Sequence, residues 1–335
     1  MARVVLIGGC GFIGHSLAIE LRHRGHEVDI IDSLMINNLY AGHKGEHRSM
    51  LEERLHILEG IGVNLFRMDA RDYSQLSHTL SVLKADVVVH LAAIAHMSVS
   101  AKDPNTTFDH NLRTLENTLD CVYETHVATG DKMAKVVYLS SSTVYGDWTA
   151  EKMGEDAKCD PKSIYGALKL AGEHIVRSHR HQKGIPYVIV RPSALYGPRC
   201  VSGRVIQTFI ERAFVGMNLT ASDESLDFTY IKDLIQGLTK CIESNVENET
   251  FNLTYGQGRK VIDAANIIAP HFEAVVNRSN KAPDGPNRGT LDISKAVEML
   301  GYRPEYPIEL GIPEYIKWYR QNVFNVEAGG QALRS

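Results

Sequence analysis

Tyr165 and Lys169 stand four residues apart in Ser163-Ile164-Tyr165-Gly166-Ala167-Leu168-Lys169, so on a helix a phenol and an ammonium share one face. Such a pair suits the removal of a proton from an alcohol. A free tyrosine, pKa about 10, is mostly protonated at neutral pH, and lowering it by about three units takes roughly 4 kcal/mol of preference for the phenolate. A neighbouring ammonium and a second bound positive charge, acting in a site of low dielectric, supply that preference. A hydroxyl that donates to, or relays a proton from, the same oxygen would complete the set. Ser141, in Ser140-Ser141-Ser142-Thr143-Val144-Tyr145-Gly146, follows the strand-like run Lys135 to Leu139 and is the candidate. The spacing alone arises by chance in a chain with 14 tyrosines. Its weight comes from the surroundings.

The opening stretch gives those surroundings. Val4-Val5-Leu6-Ile7 reads as a buried strand, Gly8, Gly11 and Gly14 follow at intervals of three, and Phe12 to His23 is amphipathic. Strand, tight turn and helix place the first helical amides, those of Phe12 and Ile13 among them, where they meet a diphosphate with no side chain in the way. A second short strand, Val28-Asp29-Ile30-Ile31, stops at Asp32. An acid there takes the two ribose hydroxyls of a dinucleotide and repels a 2′-phosphate, which selects NAD over NADP. A glycine-rich turn without a ligand is the alternative.

Further along, strands alternate with helices of ten residues or more. That pattern predicts an α/β fold, a Rossmann-type doubly wound parallel sheet whose ligands lie beyond the carboxyl ends of its strands. Gly8, Asp32, Asp69, Ala92 and Ser141 all fall on that edge. Asp69-Ala70 ends the third strand and bounds an adenine ring; Leu91-Ala92-Ala93 ends the fourth with room for a ligand to pass. A long polar connection, Ser33 to Glu46, precedes a helix near His47 to Glu59. Thr106 to Thr125 reads as a long helix behind a stopping Asp103-Pro104, and its Asn111, on an apolar face, is expected to hydrogen-bond a neighbouring strand or loop. Pro161 begins the helix that carries Tyr165 and Lys169.

At 335 residues, with 44% hydrophobic and 23% charged residues and a formal charge of -4, the chain has length for a real core and no basic surface for nucleic acid. Five cysteines, never in a C-x-x-C pair, argue against a disulfide framework and a zinc site. His43/His47 and His179/His181 read as solvated surface, so no metal is expected. No apolar run approaches membrane length and the first strand begins at the third residue, so neither a span nor a signal peptide is expected, and the cytoplasm is the default location.

The motifs together resemble the extended short-chain dehydrogenase/reductase superfamily, in its branch of NAD-dependent nucleotide-sugar epimerases and dehydratases. The matching pieces are Gly8-Gly9-Cys10-Gly11-Phe12-Ile13-Gly14, His90-Leu91-Ala92-Ala93, Ser140 to Gly146, Ser163 to Lys169 and Arg191-Pro192-Ser193-Ala194-Leu195-Tyr196-Gly197-Pro198-Arg199. Leu226 to Asp233 and Leu291 to Lys295 extend the match to nearly the whole chain. The resemblance implies Tyr165 as base, Lys169 on the nicotinamide ribose and Ser141 completing the triad. It also implies a division into residues 1–192, holding NAD and the triad, and 193–325, a smaller and partly interleaved α/β substrate domain with strands such as Thr250-Phe251-Asn252-Leu253. Residues 326–335 would be a flexible tail. The two long helices resemble those that pair across the family's homodimer.

Dehydratases of this family carry an acid, often Asp-Glu, after the position of Ser141, where this chain has Ser142-Thr143. Reversible oxidation at C4 of a nucleotide-diphosphate sugar is therefore the expected outcome, a 4-epimerase reaction. Dehydration, decarboxylation or net dehydrogenation on the same scaffold, and a catalytically idle NAD sensor, are the alternatives. Two family contacts to the diphosphate are replaced here by Ser193-Ala194 and by Leu226. Arg204 and Arg288 are the candidates to replace them, and His96, Ser142 and Ser193 are the other expected substrate contacts.

Overall fold

A computed structural model describes residues 1–35, 45–95, 97–148, 150–201, 203–279 and 288–324. Seven strands form one parallel sheet: β1 (Arg3–Ile7), β2 (Glu27–Asp32), β3 (Asn64–Arg67), β4 (Val87–His90), β5 (Lys135–Leu139), β6 (Tyr187–Arg191) and β7 (Glu249–Asn252). Their order is β7-β6-β5-β4-β1-β2-β3. The chain thus starts in the middle and winds outward both ways, leaving a crevice beyond β1 and β4 where the direction reverses.

Alternation along each strand feeds two layers. Val4 and Leu6 pack with Leu17 and Leu21 of helix α1 (Phe12–His23) on one face. Val5 and Ile7 pack with Leu76 and Leu80 of the helix Tyr73–Leu83, and with Leu115 and Leu119, on the other. A second core of Tyr196, Phe209, Ile210, Phe228, Ile312 and Tyr315 holds the smaller C-terminal α/β part together. Thr250-Phe251-Asn252 do not join that part as expected. They form β7, the sheet's edge strand beside β6, because Phe251 and Leu253 are apolar enough to be buried against the large core.

The Gly8 turn and the α1 entry leave no spare space. Gly8 has φ +79°, and a Cβ there would lie 2.7 Å from the Ala92 backbone; one on Gly14 would lie 2.4 Å from the Gly9 carbonyl oxygen. Gly14→Ala must push α1 off the sheet, an overpacking cost of about 1–3 kcal/mol. The expected result is a lower urea midpoint with unchanged slope, measured by circular dichroism.

Two helices differ from their sequence readings. Asp103-Pro104 separates two helices: Met97–Lys102 ends before it, and the Asp103 side chain caps the next, accepting from Thr106 N, with Pro104 as its first residue, where its missing N–H costs nothing. The path runs Pro104–Phe108, a π-helical turn Asp109–Arg113, then Thr114–Thr129. The π turn points Asn111 at the sheet: its Oδ1 accepts from Ile94 N at 2.8 Å, as expected for a residue bridging to a neighbouring loop. The other, Ile164–Lys183, begins three residues later than Pro161, capped by Ser163 Oγ accepting from Gly166 N.

Candidate active site

Two connected cavities open at the carboxyl edge of the sheet. Gly8, Gly11, Phe12, Ile13, Gly14, Asp32, Asp69, Ala70, Leu91, Ala92 and Ala93 all line the first. Ser141, Ser142, Tyr165, Lys169, Ser193, Arg204 and Arg288 line the second, a cleft of about 1010 Å³. A drug-sized ligand typically fills 300–1,000 Å³, so the cleft takes a large one. Ile13, Leu91, Ala93 and Arg204 border both. His96, the remaining expected contact, lies outside the described residues, as do most of the Ser33 to Glu46 connection and the tail from 325.

The first cavity fits a dinucleotide. A Cβ on Gly11 would meet nothing but the Gly8 carbonyl at 3.3 Å, so the turn presents bare backbone to the cavity. Asp32 is held by two amides, Oδ2 accepting from Cys10 N at 2.9 Å and Oδ1 from Leu34 N at 2.8 Å. Its carboxylate therefore sits fixed at the end of β2, oriented for a diol. Burial raises its pKa, and those two bonds oppose the rise. Asp69 is clamped by the Arg71 guanidinium, with the shortest contact 2.6 Å.

In the cleft, Tyr165 and Lys169 are 8% and 3% exposed. Lys169 Nζ donates to the Leu139 carbonyl at 2.6 Å and lies 6.0 Å from the centre of the Tyr165 ring. Burial pulls the ammonium down to about 7, with Glu173 opposing. Burial also raises the Tyr165 phenol; the Arg204 guanidinium and a hydrogen bond with Ser141 pull it back. Arg204 is thus a second basic group near the phenol besides Lys169, one that the motif spacing did not point to. Ser141 Oγ accepts from Thr143 N at 3.2 Å and Thr143 Oγ1 at 2.9 Å, which fixes its position beside the phenol.

Around the diphosphate candidates, burial lowers the Arg288 pKa, Glu224 opposes at 3.7 Å, and the Arg204 charge adds to the lowering, so the two guanidiniums share the cleft. Ala194 has φ +39°, a region where Ala is strained. Ser193 Oγ is buried and has no hydrogen-bond partner among the described residues.

Behind Tyr165 and Lys169 lies a network that the sequence reading missed. Glu173, fully buried, accepts from Ser140 Oγ at 2.6 Å and from Arg191 Nε and Nη2 at 2.8 and 2.7 Å. Arg191 Nη1 also donates to Tyr145 OH at 2.9 Å. This ties the helix to the ends of β5 and β6. The signal was present: Glu173 is one further turn along the face of Tyr165 and Lys169. The histidine reading is corrected too. His179 is 9% exposed and meets Glu116 at 3.2 Å, and His47 meets Glu211 at 2.9 Å, so both have carboxylate partners rather than open solvent.

A parallel sheet with a glycine turn on its first strand, an acid ending its second and a Ser-Tyr-Lys set beyond its fifth defines an NAD-dependent protein of the extended short-chain dehydrogenase/reductase class. More narrowly, the chain belongs to the NAD dependent epimerase/dehydratase family, whose family model matches residues 4–254. It is 26% identical to UDP-glucuronate 4-epimerase 1 of Arabidopsis thaliana, covering 94% of this chain and 76% of that one. It is 27% identical to UDP-glucuronic acid decarboxylase 1 of Xenopus tropicalis, covering 96% and 73%. The crystal structure of UDP-glucuronic acid 4-epimerase from Bacillus cereus with UDP-glucuronic acid and NAD superposes with a TM-score of 0.83 at 25% identity, covering 95% and 99%. The chain is thus one of a family of NAD-dependent nucleotide-sugar epimerases, dehydratases and decarboxylases. No helix among the described residues is long and apolar enough to cross a membrane.

Proposed function

We propose that this chain is a nucleotide-sugar 4-epimerase, with residues 1–192 holding the cofactor and triad and residues 193–325 most of the sugar nucleotide. Bound NAD supplies the acceptor, and later the donor, of the hydride at C4. Tyr165 takes the proton of the C4 hydroxyl and returns it, with Ser141 on the same oxygen. Lys169 holds the nicotinamide ribose. Arg204 and Arg288 pair with the diphosphate, and Ser142, Ser193 and His96 meet the sugar.

The observation that carries this reading is the pair Ser142-Thr143 after Ser141, both buried at the cleft, where elimination of water calls for a carboxylate. Asp147, the carboxylate among the described cleft residues, sits exposed at the rim. Without a buried acid, loss of water from the oxidised sugar is disfavoured, which supports the course in which it turns over and is reduced on its other face. We further propose a homodimer, supported by Phe108, Val127 and Ile164, which leave 45%, 58% and 40% of their surface exposed on the two long helices. Five free cysteines support a cytoplasmic setting.

Screening UDP-, GDP-, CDP- and dTDP-sugars for a raised thermal midpoint identifies the nucleotide, because a ligand of the folded state alone stabilises it. The stabilising sugar is then incubated with the protein and its product weighed. An unchanged mass with a new stereochemistry is expected. Loss of water or carbon dioxide would replace this reading with one of the other family reactions.

A further inference from the structure

The helix Gly45–Gly60 buries Met50, Leu51 and Leu58 on one face, and the same face carries Arg54, which is 1% exposed. No carboxylate among the described residues lies within ion-pair distance of it. Its Nη1 donates to the Cys10 carbonyl at 3.4 Å and its Nη2 to the Arg199 carbonyl, while its Nε has no partner. A guanidinium has five N–H donors, and burying one against two neutral carbonyls costs far more than burying a methionine of the same reach. The Asp32 carboxylate acts on it from farther than an ion pair, and no anion among the described residues meets the guanidinium directly.

The cavity wall where Arg54 sits names the class of anion that fits it. Arg54 lines the dinucleotide cavity together with Gly8, Gly11 and Asp32. The acids of that wall are already engaged, Asp32 by the Cys10 and Leu34 amides and Asp69 by Arg71. Burial among apolar groups lowers the Arg54 pKa, as it does for a cation awaiting a partner. The Cys10 carbonyl it touches belongs to the turn whose bare glycine backbone faces a diphosphate.

We propose that Arg54 is the charged ligand of the cofactor's diphosphate, reaching it from the helix Gly45–Gly60 across the glycine turn. The assignment rests on NAD binding and not on the epimerase reaction, so the two fail separately. A fork of parallel N–H donors meets phosphate oxygens bidentately, and a charge-assisted pair of this kind corresponds to about tenfold or more in affinity.

The test is calorimetric titration of the full chain, freed of co-purified nucleotide, with NAD, ADP-ribose and adenosine. Arg54→Met is expected to lose about tenfold or more in affinity for NAD and ADP-ribose alike, with adenosine unaffected. Its ligand-free thermal midpoint should be unchanged or higher, because an unpaired buried cation has been removed. Arg54→Lys, a point charge without the fork, should recover part of the affinity. NAD affinity equal to the parent's in Arg54→Met would reduce Arg54 to a strut between two carbonyls, and an equal loss for adenosine would move it from the diphosphate to the nucleoside.

Discussion

Tyr165→Phe is expected to lower turnover by about a thousandfold while the protein stays folded and keeps its NAD. On the proposed mechanism the phenol's oxygen moves the C4 proton, and a positioned general base contributes typically 10²–10⁴-fold. The ring itself stays: at 8% exposed it fills the same space as phenylalanine, and only the hydrogen bond with Ser141 is lost. That bond corresponds to about 1 kcal/mol, a shift of a few degrees at most in the thermal midpoint. Steady-state rates, the nucleotide released on denaturation and a melting curve read the three parts separately. Near-normal turnover would remove Tyr165 from the mechanism.

Lys169→Met is expected to do two opposite things. Turnover falls about a hundredfold or more, since on the proposed mechanism this ammonium holds the nicotinamide ribose. The ligand-free protein, however, becomes more stable. Burial pulls Lys169 down to about 7 in the folded chain, against 10.5 for an exposed lysine. A depressed lysine pKa is a cost to folding that is fully present below the folded value, near pH 7, and disappears as pH rises towards 10.5. Counting the lost hydrogen bond to Leu139 against that cost leaves a gain of about 2 kcal/mol for the variant near neutrality. Urea unfolding at about pH 6.5 and about pH 10 checks the sign: the variant's advantage should shrink or reverse at the higher pH. A variant less stable than the parent at both would mean that Lys169 is buried for support alone.

What the residues betrayed in advance was the local chemistry. Gly8, Gly11, Gly14 and Asp32 lie within one strand-helix-strand unit, so their order along the chain is also their order in space, and the cavity they line follows directly. Tyr165 and Lys169 are neighbours for the same reason. Partners brought in from afar were not legible. Glu116 reaches His179 across 63 positions and Arg54 reaches Arg199 across 145. Thr250-Phe251-Asn252 carry the composition of a strand, but nothing in three residues says which sheet they join; burial of Phe251 against the large core decides it. The phenol's electrostatics also depended on reach. Lys169 donates to the Leu139 carbonyl, and Arg204, 39 residues on from Tyr165, adds a second charge near the ring's hydroxyl.

One measurement bears on the central claim without intermediaries. A nucleotide-diphosphate sugar carrying deuterium at C4, found by the binding screen, is incubated with the protein in ordinary water and its epimer examined by mass spectrometry and NMR. If Tyr165 moves only the hydroxyl proton and C4 is oxidised and reduced in one closed site, the epimer keeps its deuterium at C4 and gains none of the solvent's hydrogen there. An epimer that has exchanged its C4 label with water would contradict the account.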